Sequence, residues 1–263
     1  MLALIRGAGD IASGAAVRLW RCGVDVVMTD LERPTAIRRT VAFSDAIIHG
    51  ETTVEGLRAV RAENAAQAKT LLRNGVIPVL ADPACTCREE LAPDALVDAI
   101  LAKRNLGTKI TDAPIVVGVG PGFTAGEDCH AVVETMRGHT LGRVIYSGGA
   151  IPNTNVPGLI GGFAGERVLR APCDGIFTAV HRIGDTVEEG ETIGFVEGQP
   201  MKCTIGGVLR GVLDNGVRVK KGMKSGDVDP RCKVEYCTTV SDKALAVGGL
   251  EQGLGKALPN KDD

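Results

Sequence analysis

Two glycine-rich stretches carry the residue types that could grip an anion. The first, Gly7-Ala8-Gly9-Asp10-Ile11-Ala12, follows the apolar run Leu2-Ala3-Leu4-Ile5 and precedes an amphipathic segment. Its Gly-x-Gly-x-x-Ala spacing fits a dinucleotide-binding turn, in which glycines give a tight bend and let the backbone approach a pyrophosphate. Asp10 complicates this reading. A carboxylate there can cap the following helix by accepting first-turn N–H groups, and it then stands where the pyrophosphate would lie. A nucleotide would have to bind slightly displaced, or with a metal between. Asp30 lies some twenty residues beyond the turn, where a carboxylate accepts ribose hydroxyls, so an adenosine moiety without a 2′-phosphate is the expected ligand part.

The second stretch, Gly120-Pro121-Gly122-Phe123-Thr124-Ala125-Gly126-Glu127, ends in Thr-x-x-Glu. That pattern reads as a capping box opening a helix that carries His130 and Glu134. Amides ahead of such a helix would form a second anion site, with a plain tight turn as the alternative. Basic residues fall after other expected strands: Arg38 and Arg39 after the second, Lys103 and Arg104 with Asn105 after the fourth. Guanidinium groups grip phosphate oxygens bidentately, although each such residue taken singly reads first as a solvated surface charge; it is their shared position that suggests a phosphate. The candidate binding set is Gly7, Gly9, Asp10, Asp30, Arg38, Arg39, Lys103, Arg104, Asn105, Gly120, Gly122, Thr124 and Gly126.

Catalytic signals are thin, and no catalytic residue is assigned. Cys129 and His130 are adjacent, so on a helix they point about 100° apart and do not make a nucleophile pair. His130 and Glu134, with Asp128 or His139, lack the usual spacing of a metal site, and none is assigned. Cys85-x-Cys87 places two thiols in a loop, as a soft metal or sulfur/selenium site or as incidental cysteines.

These residues need a scaffold. Up to about Ser147, short apolar runs alternate with helical periods, the pattern of a mainly parallel sheet. Strands are expected near Leu2–Arg6, Val24–Thr29, Val76–Leu80, Ala95–Leu101, Ile115–Val119 and Arg143–Ser147, and helices near Ile11–Arg21, Val54–Asn74 and Asp128–Arg137. The expected fold is α/β: a Rossmann-like domain over residues 1–165, its last part, Gly148–Gly165, a linker or ordered loop. In such a sheet, ligands bind beyond the carboxyl ends of the strands. Residues 169–228 hold an internal repeat at an offset of 32: Asp174-Gly175-Ile176 recurs as Gly206-Gly207-Val208, and Gly184, Val187 and Gly190 as Gly216, Val219 and Gly222. Neither copy closes a core alone, so the two should interlock about a pseudo-twofold axis. Residues 166–230 therefore read as a smaller all-β domain that resembles the biotinyl/lipoyl barrel-sandwich hybrid. Lys202 follows Met201 as in a carrier motif, but too few residues separate it from Gly207, so it reads as a strand lysine. Residues 231–263 should add a strand and a helix, about Asp242–Leu258, that pack back.

Composition sets the outer bounds. With 44% hydrophobic and 24% charged residues in 263, the chain is that of an ordinary folded protein. The net charge of −2 offers no field for nucleic acid. No apolar run approaches the roughly 20 residues that span a bilayer, and Met1 leads directly into a strand, so a cytoplasmic protein without a membrane partner is expected. In that compartment the eight cysteines would stay reduced.

The stretch "APIVVGVGPGFTAGEDCHAVVETMRGHTLGRVIYSGGAIPNTNVPG", followed by "ERVLRAPCDG", "IGDTV", "GVLRG" and "KSGDVDPR", strongly resembles the YqeB family of the selenium-dependent molybdenum hydroxylase system. "RGAGDIASGAAVRLW", "IRRTVAF", "LVDAILAKRNLGT" and "SDKA" extend the match over nearly the whole chain. A more distant likeness is to the accessory factors of xanthine dehydrogenase. The resemblance implies a maturation factor for selenium-dependent molybdenum hydroxylases, with that hydroxylase or its cofactor-assembly proteins as partner, and with a nucleotide or molybdopterin as ligand. The family pattern does not require Cys85, Cys87 or Cys232. The alternatives are an NAD-dependent oxidoreductase, with His130 or His139 as proton donor, and a non-enzymatic binding scaffold. A homo-oligomer is compatible with each.

Overall fold

The computed structural model describes residues 1–154 and 158–249. The chain forms two units. The first contains Met1–Glu32, Ala42–Asn153 and, of the described residues, 240–249; the second contains Arg33–Val41 and the described part of Thr154–Thr239.

In the first unit the strands are β1 (Leu2–Arg6), β2 (Asp25–Asp30), β3 (Glu51–Val54), β4 (Leu57–Ala62), β5 (Ile77–Ala81), β6 (Ala95–Asp98), β7 (Ile115–Val119), β8 (Ala131–Val133) and β9 (Val144–Ile145). The helices are α1 (Asp10–Arg21), α2 (Asp45–His49), α3 (Ala65–Arg73), α4 (Arg88–Leu91) and α5 (Asp242–Val247). One nine-stranded sheet runs in the order β3-β4-β5-β2-β1-β6-β7-β8-β9. From β4 to β8 every neighbouring pair is parallel, while β3 and β9 close the two borders antiparallel. The central strands read as continuous apolar runs because both faces are covered; Ile115 to Val119 is buried throughout.

This corrects the expected Rossmann-like, mainly parallel sheet: the sheet is mixed, and its second half is not wound by helices. The connections β6–β7 and β7–β8 contain no helix, so those crossovers are loops held by side chains. The segment expected as one helix over Val54–Asn74 is instead the end of a β3–β4 hairpin followed by α3. Its turn is Glu55-Gly56, both at positive φ (52° and 79°), the two-residue geometry that suits a tight hairpin. The expected helix over Asp128–Arg137 is the buried strand β8.

α1 is amphipathic: Ile11, Ala12, Ala15, Ala16 and Leu19 are buried along it. Gly14 lies where α5 crosses, and a Cβ there would come within 2.6 Å of Ala244 Cβ, so only glycine lets the helices meet. The expected helix of Asp242–Leu258 is α5 over its first part; from residue 250 it lies outside the described residues.

The second unit contains β10 (Val168–Arg170), β11 (Gly175–Ala179), β12 (Thr186–Val187), β13 (Thr192–Val196), β14 (Gln199–Lys202), β15 (Gly207–Val212), β16 (Arg218–Val219) and β17 (Lys224–Asp229). They make two separate four-stranded antiparallel sheets, β10-β17-β15-β12 and β14-β13-β11-β16. The expected biotinyl/lipoyl-like barrel-sandwich hybrid is thereby corrected: among the described residues no ladder joins the two sheets. The repeat still explains the pairing. β15, β16 and β17 are β11, β12 and β13 shifted by 32 residues, and each sheet has an inner pair from one copy flanked by outer strands from the other. The core comprises Phe177, Ile193, Leu209, Val212 and Val228. Lys202 ends β14 as an exposed strand residue. The strand expected after residue 231 does not form among the described residues; Val234–Cys237 is a 3-10 turn.

Candidate functional site

The carboxyl ends of the parallel strands present the polar loops of the first unit. The glycine turn after β1 is knitted into the protein. Gly7 (φ +106°) donates to Thr29 O at 2.8 Å, and a Cβ on it would lie 2.8 Å from Ala99 O, so this glycine lets the loop after β6 pass against the turn. Asp30, at the end of β2, reaches back: its Oδ2 accepts from Ala8 N at 2.8 Å and its Oδ1 from Leu31 N at 2.7 Å. Burial raises the Asp30 carboxyl above the usual range, and the two backbone hydrogen bonds pull the other way. Asp30 therefore fixes the turn, a role beyond the ribose contact expected of it. Ser13, fully buried on α1, completes the clasp by donating to Ala8 O and accepting from Phe43 N at 2.8 Å.

Gly9 differs from Gly7. It is the N-cap of α1 at φ −70°, with no side-chain cap, and a Cβ there would meet nothing within 4 Å. Neither conformation nor packing within the protein calls for glycine at this position. Asp10 takes the first helical position, where the helix dipole favours a carboxylate.

Arg6, ending β1, ties the loop after β5 to the end of β6 and the loop that follows it. Its Nη1 donates to Asp98 Oδ2 (3.3 Å) and Thr108 Oγ1 (3.0 Å), its Nε and Nη2 to Pro83 O, and its Nη2 to Leu106 O. Thr108 Oγ1 also donates to Asp98 Oδ2 at 2.6 Å, in a pair that is 3% and 2% exposed. Asn105 Nδ2 donates to Thr108 O and to Asp128 Oδ1, while Asn105 Oδ1 accepts from Gly107 N and Thr108 N. Asn105 is thus committed to loop structure and links the loop after β6 to the loop after β7. Lys103 and Arg104 in the same loop are exposed. A Cβ on Gly122 (φ +109°) would land on the Arg104 backbone, so Gly122 is the seat of that loop.

The second glycine loop does not open a helix, and its amides turn inward. Gly120 N donates to Val133 O, Thr124 N to Asp128 Oδ2, Ala125 N to Gly148 O and Gly126 N to Cys129 O. Asp128, not Glu127, braces the loop. Those four donors already have acceptors in the protein, so they are not available to the expected second anion site. His130 lies at the start of β8, where its Nδ1 accepts from Val116 N at 2.9 Å, so it is an edge partner of β7 rather than a proton donor facing a nicotinamide. Glu134, 2% exposed, accepts from Met136 N at 2.6 Å and Ile151 N at 2.8 Å.

Arg38 and Arg39 belong to the second unit and are not part of this edge. Arg38 is buried and donates to Tyr236 O and Thr239 O; Arg39 donates to Val212 O and pairs with Asp214 at 3.7 Å. Sequence reasoning missed Arg6, Ser13 and Asp98, and weighed Asp128 only as a metal ligand. Arg6 and Asp98 each end an apolar run with a charge, a signal that was readable in "LALIR" and "ALVD". Among the described residues, no three His, Cys, Asp or Glu side chains gather as a metal site.

No family model matches the chain. It is 52% identical over 248 residues to the uncharacterized protein YqeB of Escherichia coli strain K12, a match that covers 94% of this chain. The chain is similar to YqeB over that stretch. It spans about half of that relative's length, 46%. The expected likeness to YqeB is therefore supported over the matched part. Among solved structures, an aspartoacylase family protein from Mesorhizobium loti aligns over 86% of this chain and 83% of its own, at 12% identity and a TM-score of 0.28. A succinylglutamate desuccinylase from Silicibacter sp. aligns over 86% and 84%, at 14% identity and a TM-score of 0.26. No helix among the described residues is long and apolar enough to cross a membrane.

Proposed function

We propose that the chain is an accessory factor in the maturation of selenium-dependent molybdenum hydroxylases, and that the α1 end of its sheet edge binds a phosphorylated ligand, a nucleotide or the molybdopterin nucleotide. The observation that carries the binding reading is Gly9. Gly7 and Gly122 are glycine because backbone lies against them, whereas Gly9 faces open space at an ordinary φ. A glycine that its own fold does not require, at the uncapped start of a twelve-residue helix, suits the close approach of an anion to first-turn amides.

Asp30, Ser13 and Ser44 hold the turn open for this by taking Ala8 N and Ala8 O into fixed hydrogen bonds, so the amides are preorganised before a ligand arrives. Lys103 and Arg104, exposed on a loop whose first residues touch the Gly7 turn, supply positive charge to the same edge. The hydroxylase or its assembly proteins as partner belong to this reading and rest on the family resemblance of the sequence; the cytoplasm as compartment belongs to it too and rests on the lack of a membrane-length apolar run. Calorimetry with a panel of nucleotides, pyrophosphate and molybdopterin tests it. Micromolar binding of one of them, lost in Gly9→Glu with the fold retained, is the expected result; binding of none would overturn the proposal.

A further inference from the structure

In the second unit, the outer face of the sheet β14-β13-β11-β16 carries apolar side chains that the fold leaves in the open. On β11, Phe177 points into the core, so Ile176 and Thr178 point out; Val180, just past the strand, and Phe195, opposite Thr178 on β13, share their face. Ile176, Val180 and Phe195 are 37%, 58% and 38% exposed. The repeat offers a comparison within the same unit. Shifted by 32 residues, Ile176 becomes Val208 and Phe195 becomes Asp227, both 1% exposed. That sister face is covered by the chain itself: Arg167 Nη1 donates to Asp227 Oδ1 at 2.9 Å, and the turn Val234–Cys237 lies against β15, where Cys237 Sγ donates to Leu209 O. One of two equivalent faces has a cover from its own chain; the other presents a contiguous apolar strip, which scattered surface residues would not form.

The two ends of the strip differ in charge. At the Ile176 end, Arg218 pairs with Ile176 across the ladder and leads into the exposed turn Lys220-Lys221, which Asp174 holds through Lys220 Nζ (2.9 Å) and Lys221 N (2.7 Å). At the Val180 end, Val180 N donates to Ile193 O, and the turn leading into β13 carries Glu188, Glu189 and Glu191, the last 3.0 Å from His181. The two turns are one structure in two copies: Gly190 N donates to Cys203 O as Gly222 N donates to Ala171 O, both at 2.9 Å. Their charge is inverted, Glu188-Glu189 against Lys220-Lys221. Nearby counter-charges reduce this polarity without cancelling it. Arg218, Lys220 and Lys221 face Asp174 and Glu197, whose Oε1 is taken by Ile176 N; Asp185, Glu188, Glu189 and Glu191 face Arg182 and Lys202, the latter opposite Thr192.

We propose that this face pairs with the same face of a second copy of the chain, about a twofold axis that crosses β11 near Thr178. The axis reverses the strip, so apolar side chains meet apolar side chains while Lys220-Lys221 of each copy meets Glu188-Glu189 of the other, and symmetry makes both charge contacts at once. The opposite alignment, strip parallel to strip, brings like charges together and is disfavoured by the same groups. A face with a basic end, an apolar middle and an acidic end is thus complementary to its own reversed copy, which is what selects a second copy as the occupant. Four strands about 4.8 Å apart and five residues of about 3.4 Å each give roughly 300 Å² per copy, at the small end for specific interfaces, so the dimer is weak and salt-sensitive.

Sedimentation equilibrium of the full chain at low and high salt, up to about 500 µM protein, tests it. A reversible dimer is expected, its dissociation constant raised about tenfold by high salt and at least about tenfold by Phe195→Glu. The double variants Lys220→Glu/Lys221→Glu and Glu188→Lys/Glu189→Lys should each be monomeric alone and form a one-to-one pair when mixed, since one then carries two acidic ends and the other two basic ones. Circular dichroism confirms that each variant is folded. A wild-type chain that stays monomeric throughout would overturn the proposal and leave the face to a different protein. A dimer indifferent to Phe195→Glu, or one unmoved by either charge reversal, would overturn it as well, as would reversed variants that fail to pair on mixing. Phosphate-ligand binding plays no part in the readout, so this interface and the ligand site stand or fall separately.

Discussion

The contrast between Gly7 and Gly9 makes the sharpest prediction, because two glycines two residues apart differ in what a side chain would meet. Alanine at position 7 must adopt a φ near +106° and place its Cβ 2.8 Å from Ala99 O and 2.9 Å from Ala99 C. The conformation costs about 1–3 kcal/mol and the overlap about 1–3 more, for a loss of roughly 2–6 kcal/mol. For a chain of this size that lowers Tm by roughly 4–24 °C. Alanine at position 9 keeps an ordinary φ of −70° and touches nothing within 4 Å. It gives up only the difference between glycine and alanine as an N-cap, about 0.5–1 kcal/mol, or no more than about 4 °C. Thermal and urea denaturation of both variants decide the matter. Equal destabilisation by the two substitutions would refute the reasoning, since Gly9 would then be a structural glycine and its openness would lose its meaning.

Two further predictions concern buried charge. Asp30 has its ionisation raised from 3.8 by burial, so the folded chain binds more protons than the unfolded one just above that value. The Asp30 contribution to stability is therefore present below about pH 3.8 and declines as pH rises through the folded value. The stability difference between wild type and Asp30→Asn, measured by urea titration at successive pH values, should fall over that window and then level off; a difference that grows with pH would contradict the assignment. In the second unit, Asp227 Oδ1 accepts from Arg167 Nη1 at 2.9 Å and Oδ2 from Arg210 Nη2 at 2.6 Å, with Asp227 only 1% exposed. Asp227→Ala leaves both guanidinium groups without this partner and should cost about 3–5 kcal/mol in urea unfolding; a loss below 1 kcal/mol would show that Asp229 and the remaining acceptors suffice.

The parts of the fold that were legible are those where local pattern and global role agree. The run Leu2–Arg6, the glycine turn and the apolar stripe of α1 announce a strand, a turn and a helix in order, and the repeat in residues 169–228 foretells the exchange of strands between its copies. Two segments misled. Ala131-Val132-Val133 is a short apolar run whose period cannot separate helix from buried strand, and Thr124-x-x-Glu127 resembled a cap although Asp128 holds Thr124 N. In Val54–Asn74 the helical period of the second half was extended backward over Glu55-Gly56, whose positive φ values build a hairpin. At the site, the sequence located the loops but not their hydrogen bonding. Glycines and polar residues mark where chain turns occur; whether Asn105, Asp30 or the amides of residues 120–126 face a ligand or one another depends on partners distant in sequence, such as Asp128, Ala8 and Gly148.

The central claim is that an anion seats at the start of α1. A crystal structure of the chain grown with the tightest-binding nucleotide or with pyrophosphate tests it most directly. The account predicts a phosphate group against Gly9 and within hydrogen-bond distance of the first-turn amides of α1, with the Asp30 clasp on Ala8 intact. A ligand seated elsewhere, or one that displaces Asp30 to bind, would contradict it.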